Sequence, residues 1–298
     1  MQATRSDLTV TRVRHPLKFR LLQVKRVETV TPHLIRVTLT GDDLHDFASA
    51  SFDDHVKVFF PAPGEEKPAI PEAGPDGPVF PAGQPRPVAR DFTPKRFDRD
   101  ARELELEFAL HEAGPATEWA TQAKAGQYLG VGGPRGSFVV PTGFDWHLLI
   151  GDDTALPAIG RRLAELPHGS RVAAVIEVAD ASARVEFDTA ADLYIEWRYR
   201  SEAAYCENGG GNGGGNGGGN SGDNGGGNSN SSGSALLQAV RETFLPDGDG
   251  YVWAAGEAAT MRAIRSHLVN ERGVDKSRIR ASAYWKKGEP AVHENLDD

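Results

Sequence analysis

The first half of the chain alternates polar and apolar residues, and the second half does not. Residues 103–110 read Glu-Leu-Glu-Leu-Glu-Phe-Ala-Leu, a period of two that predicts a strand with one apolar and one wet face. Strand-like stretches at 19–30, 34–39, 55–60, 128–131 and 138–140 accompany it. They are short and punctuated by Gly and Pro, and predict an antiparallel six-stranded β-barrel. Residues 62–88, rich in Pro, Gly and charge, read as a long loop. From residue 146 the pattern becomes continuously apolar, beginning Trp146-His147-Leu148-Leu149-Ile150, as in strands buried on both faces. Further strands are predicted at 171–178, 193–197, 251–255 and 279–285. Helices are predicted from Asp153 or Thr154 to about residue 166, over 235–244, and where Met261, Ile264 and Leu268 recur before Gly273. Strands alternating with helices imply a mainly parallel sheet. The expected organisation is two domains, a barrel over 1–142 and an α/β domain over 143–298.

Composition narrows the function classes. Of 298 residues, 39% are hydrophobic and 25% charged, as in globular proteins, and no apolar run is long enough to predict a membrane span. Residues 1–20 carry Arg5, Arg12, Arg14, Lys18 and Arg20 against Asp7. They read as a frayed basic arm without the apolar core of a secretory signal. The net charge of −9 argues against nucleic acid as a partner. Cys206 is the only cysteine, which excludes an intrachain disulfide and a Cys-ligated iron–sulfur cluster and favours a cytoplasmic location. The nine histidines lack the spacing of a metal site. Residues 208–234 repeat Asn-Gly-Gly-Gly and then drift into Ser and Asn; they are expected to be a flexible insert in the second domain.

The candidate chemistry begins at Arg90-Asp91-Phe92-Thr93-Pro94. A fixed cation, a ring and a hydroxyl close together at a strand end suit a planar cofactor with a phosphate tail. Pro94 holds Thr93 extended and ends the ladder. Downstream stand His111, Gly114-Pro115-Ala116-Thr117 and Trp119, with a helix start near Ala116 whose N–H groups could cradle a diphosphate. A turn with a short core helix anchored by Trp119 explains the same stretch. Then come Gly132-Gly133-Pro134-Arg135-Gly136-Ser137, Gly151-Asp152-Asp153-Thr154-Ala155-Leu156-Pro157, Trp253-Ala254-Ala255-Gly256-Glu257 and Tyr284-Trp285-Lys286-Lys287-Gly288. No Gly-x-Gly-x-x-Gly fingerprint accompanies the strand-to-helix turn at 151–157. Glu257 could reach a ribose or cap the next helix.

In combination these motifs resemble the siderophore-interacting protein family of flavin-dependent ferric reductases, within the ferredoxin-reductase-like group. The resemblance runs from about residue 19 to 288 and leaves out the insert. It implies an FAD-binding barrel followed by a nucleotide-binding α/β domain. The family's Arg-x-Tyr-Thr flavin motif falls on Arg90, Phe92 and Thr93, with Phe in place of the usual Tyr. Lys95 stands where a second Arg is common, which keeps charge and loses bidentate geometry. The resemblance implies that His111, Gly114, Pro115, Ala116, Thr117 and Trp119 hold the FAD diphosphate and ribityl chain, and that Asp153, Thr154 and Ala155 lie near flavin and nicotinamide. It implies further that Lys57, Arg135 and Lys286 or Lys287 receive an anionic ferric siderophore. The activity implied is electron transfer from NAD(P)H through FAD to Fe(III), with no catalytic side chain and no resident metal. A reductase serving ferredoxin or flavodoxin, and a siderophore carrier without turnover, are the alternative readings.

Overall fold

The computed structural model describes residues 8–75, 77–83, 85–110, 114–202, 234–289 and 294–296. His111, Cys206 and all of the insert except Ser234 lie outside them. The N-terminal half is built on one antiparallel sheet of seven strands. These are β2 (Phe19–Thr31), β3 (Leu34–Thr40), β4 (Val56–Phe59), β7 (Ala89–Phe92), β8 (Arg96–Asp98), β9 (Glu103–Ala109) and β10 (Tyr128–Gly132). They run in the order β7-β4-β10-β2-β3-β9-β8.

The expected closed six-stranded barrel is therefore corrected to an open ladder of seven. The edge strands β7 and β8 are consecutive in sequence, joined by Thr93-Pro94-Lys95. The chain leaves its pairing with β4 at Phe92 and joins β9 at Lys95, whose N–H donates to Glu105 O at 2.9 Å. Pro94 between them has no N–H to continue a ladder.

Further expectations change. The alternating strand β9 has no wet face, because Glu103, Glu105 and Glu107 are 8%, 8% and 6% exposed. Lys25 and Arg26 pair with Glu103, Arg26 and Arg96 with Glu105, and Arg36 with Glu107. Arg36 and Glu107 stand opposite each other on β3 and β9, so the strand's carboxylates are roofed by cations from its neighbours. The frayed arm, too, ends earlier than expected. Residues Thr11–Arg14 form β1 and pair with β11 (Gly136–Val139), a segment expected in the barrel. A Cβ on Gly136 would lie 2.9 Å from Val13 O, so this pairing depends on glycine. Within 62–88, β5 (Glu72–Gly74) and β6 (Gly77–Val79) form a hairpin. Ile70 fills the space a Cβ on Gly130 would need, 2.4 Å away.

The C-terminal half is an α/β unit around a six-stranded mixed sheet. Its strands are β12 (Trp146–Asp152), β13 (Arg171–Val178), β14 (Asp192–Tyr199), β15 (Gly250–Glu257), β16 (Ile279–Trp285) and β17 (Glu294–Asn295). The order is β14-β13-β12-β15-β16-β17, with the first five parallel and β17 antiparallel to β16. The helices are α1 (Pro115–Thr121) in the first half and α2 (Leu156–Glu165), α3 (Ala235–Glu242) and α4 (Ala258–Ser266) in the second. Leu149 and Trp253 pack with α2 on one face, while Leu148, Ile150 and Val252 pack with α3 and α4 on the other. Burial on both faces is why these strands lack alternation. Leu34 and Phe52 of the first half belong to the α2-side core, so the two halves share apolar packing.

Candidate functional site

The switch from β7 to β8 is where the halves meet. Thr93 is buried and hydrogen-bonded to Tyr284 near the end of β16, whose phenol burial pushes above its ordinary pKa. Arg161 of α2 donates to Pro94 O at 2.9 Å and to Ser49 Oγ at 2.8 Å. Lys95 turns onto the same helix. Its ammonium lies 2.7 Å from where a Cβ on Gly160 would stand, and burial lowers its pKa. The position aligned with a second arginine thus fills a contact between the halves.

One face of β7 leads into an aromatic group. Phe92 packs on Phe108 with ring centroids 4.3 Å apart, and Trp119 of α1 lies 5.8 Å from Phe60 and 5.7 Å from Phe108. Trp119 Nε1–H is buried without an acceptor among the described residues. A buried donor of this kind calls for a partner that the described residues do not supply. Arg90, two residues before Phe92, is half-buried and donates to Ala89 O at 2.8 Å. Helix α1 opens with Gly114 as its cap and Pro115 in its first turn, and Glu118 N–H donates to Gly114 O at 2.8 Å. The N–H groups of Ala116 and Thr117 precede that first intrahelical bond and so have no acceptor within the helix. A Cβ on Gly114 would meet nothing within 4 Å, so this glycine is not demanded by packing. The donor set, an indole N–H, a guanidinium and two helix-start amides beside aromatic rings, fits a flavin nucleotide.

The carboxyl ends of the parallel strands form the second part, where open α/β sheets take ligands. Asp152 ends β12 fully enclosed. Its Oδ1 accepts from Thr154 N at 2.9 Å and from Thr154 Oγ1, and its Oδ2 from Glu257 N at 3.0 Å and Trp285 Nε1 at 2.8 Å. Burial first, and then Asp153, push its carboxyl pKa up. Asp153 pairs with Arg200 just beyond β14, and Arg200 also stands 3.9 Å from Glu177. Ala155 is fully buried in the core, so its side chain presents nothing to a ligand. Gly151 makes room for it, since a Cβ there would lie 2.3 Å from Ala155 Cβ and 2.9 Å from Ala255 O. Glu257 caps α4 by accepting from Thr260 N at 2.9 Å, as the capping reading expects.

The four basic candidates are Lys57, Arg135, Lys286 and Lys287. Lys57 on β4 stands in register with Gly132 of β10 and Asp91 of β7. Arg135 follows Gly132 by three residues and is exposed, although Gly133 and Pro134 before it are buried. Lys57 forms an ion pair with Asp91 at 2.7 Å, and Lys286 pairs with Glu289. Lys287 is exposed. Asp91, Asp152, Arg200 and Tyr284 were not singled out as site residues from the sequence. Asp91, Asp152 and Tyr284 stand inside stretches that the sequence brings forward, whereas Arg200 lies outside them.

The chain matches two family models in succession. The siderophore-interacting FAD-binding domain covers residues 23–138, and the siderophore-interacting protein domain covers 144–210 and 223–288. It is 33% identical over 279 residues to the NADPH-dependent ferric-chelate reductase of Escherichia coli strain K12, covering 92% of this chain and 95% of that one. It is 30% identical over 280 residues to the ferric vibriobactin reductase ViuB of Vibrio cholerae serotype O1, covering 92% and 93%. The crystal structure of a siderophore utilization protein from T. fusca superposes with a TM-score of 0.78 at 36% identity, covering 95% of this chain and 98% of that one. With both halves matched in order, the chain belongs to the siderophore-interacting protein family.

Proposed function

We propose that this protein is an FAD-dependent reductase of ferric siderophores that draws electrons from NAD(P)H and releases Fe(II). What carries this reading is likeness to a ferric-chelate reductase across both halves, sheet and α/β unit together. FAD, when bound, supplies a two-electron acceptor for a reduced nicotinamide and a one-electron donor for Fe(III).

The chain's own residues bind and orient. Arg90, Ala116 and Thr117 offer donors for the diphosphate, with His111 completing that set. Phe92 offers a ring to pack on the heterocycle, and the Trp119 N–H, which has no acceptor among the described residues, offers a donor to the ribityl chain or diphosphate. Thr93, fixed by Tyr284, presents a hydroxyl or backbone group to the ring edge. Gly114 and Pro115 shape the turn into α1. Asp153, Thr154 and the backbone at Ala155 line the approach of the nicotinamide. Lys57, Arg135, Lys286 and Lys287 draw the ferric complex over the crevice, and high salt weakens that attraction.

Purified protein should be yellow, bleach anaerobically with NADPH or NADH, and regain its colour on addition of a ferric siderophore. Protein that binds no FAD, or whose reduced flavin no ferric chelate reoxidises, would overturn the proposal.

A further inference from the structure

Asp91 sits inside the flavin motif, between Arg90 and Phe92, yet it faces away from both. Alternate residues of a strand point to opposite faces. Arg90 and Phe92 stand opposite the buried Val58 and Val56 of β4, whereas Asp91 stands opposite the exposed Lys57. Cross-strand partners in register share a face, and the Lys57 ammonium reaches the Asp91 carboxylate at 2.7 Å. The carboxylate is the more enclosed partner, its side chain 19% exposed against 50% for Lys57. Lys57 thus presents an ammonium already matched by an anion at its base. Lys286 is matched similarly by Glu289. Arg135 and Lys287 pair with no carboxylate among the described residues. A pocket gathering these four cations would therefore be far less positive than the basic residues alone suggest.

Resting on the reading of Lys57 as a substrate contact, we infer that Asp91 is a selectivity residue. By neutralising Lys57 it restrains the preference for anionic ferric complexes and adapts the pocket to complexes of low net charge, such as uncharged ferric trishydroxamates. Coulomb attraction scales with the product of the charges. Removing the Asp91 charge should strengthen binding in proportion to the negative charge on the complex. Removing the Lys57 charge should weaken it in the same proportion.

The probes are two forms of one linear ferric trishydroxamate whose terminal amine is either acetylated, leaving the complex neutral, or succinylated, leaving it with one negative charge. Both carry the same iron-binding groups, so the potential of the iron is common to both. Steady-state KM is measured for each with NADPH and the FAD-loaded protein, at low and high ionic strength. In D91N the ratio of KM for the anionic form to that for the neutral form should fall about threefold at low salt, the size expected of one charge acting on another across several ångströms of wet surface. In K57M the ratio should rise by a similar factor, and both shifts should shrink at high salt. A purely structural role for the pair would move the two variants the same way and would not respond to salt. Turnover with a ratio unmoved in D91N, or moved alike in both variants, refutes the role of Asp91 and leaves the reductase reading intact. A wild-type flavin that NADPH reduces but neither chelate reoxidises removes the reading and the inference together.

Discussion

Asp152 shows how much one side chain arranges at the edge of the parallel sheet. Its two oxygens accept from two groups of Thr154, from Glu257 N and from Trp285 Nε1. They tie together the end of β12, the turn into α2, the start of α4 and the last residue of β16. In Asp152→Asn one acceptor becomes an NH2 group aimed at two donors, leaving buried N–H groups unpaired. This should cost about 1–3 kcal/mol and lower the thermal midpoint by several degrees. Thermal unfolding followed by circular dichroism checks this, and an unchanged midpoint would mean the four donors find other acceptors. The residues of this site were unequally legible. Arg90, Phe92 and Thr93 announce themselves through a short motif with a chemical rationale. Asp91 sits in that same motif and was passed over. Its meaning depends on register with Lys57, 34 positions earlier by sequence numbering, and no local pattern reports register.

At the level of the elements, β12 was readable because five apolar or aromatic residues in a row leave few alternatives. The same run concealed a titratable group. His147 on β12 is 2% exposed, and burial first and then the positive charge of Arg162 bring its imidazole pKa down to about 4. The fold therefore holds His147 neutral, while the unfolded chain binds its proton below about pH 6.5. Stability from this group is fully present above that pH and is lost as pH falls towards 4, by about 3 kcal/mol. Carboxylates also titrate in this range, so the test is a comparison. Urea unfolding at pH 7 and pH 4.5 should show wild type losing about 2 kcal/mol more than His147→Asn, and equal losses in the two proteins would discount the histidine. Helices α2, α3 and α4 and the parallel strands were legible because their apolar spacing is local. The barrel was not, because its closure is a question of which edges pair. Proline at position 94 marked where a ladder stops without saying which strand comes next. The Glu-x-Glu-x-Glu alternation of β9 misled for a related reason. Polar residues on a strand signal water only when no neighbouring strand supplies cations, and Lys25, Arg26, Arg36 and Arg96 do so here.

For the molecule as a whole, the question is what keeps two sheets of different construction in one relation, since a crevice shared between them is only as defined as their contact. Apolar packing contributes, with Phe52 lying 5.4 Å from Trp253, but such packing tolerates sliding. The specific element is Asp53, 6% exposed, in the loop before β4. Its Oδ2 pairs with Arg280 Nε of β16 and lies 3.4 Å from Trp253 Nε1 of β15, while its Oδ1 accepts from Ser51 Oγ at 2.8 Å. Arg280 in turn lies 4.2 Å from the Phe138 ring centroid. A buried ion pair adds little net stability when intact, yet removing one partner strands the other charge at about 3–5 kcal/mol. Arg280→Met should therefore be strongly destabilising. Asp53→Asn with Arg280→Met should recover much of the loss, because the stranded charge is gone while the apolar packing remains. If the pair also fixes the relation of the two sheets, the single variant should unfold in two calorimetric steps where wild type unfolds in one, and Tyr284, four residues beyond Arg280, should loosen its hold on Thr93. Additive losses in the double variant would contradict this account, since additivity is the behaviour of sites that do not interact.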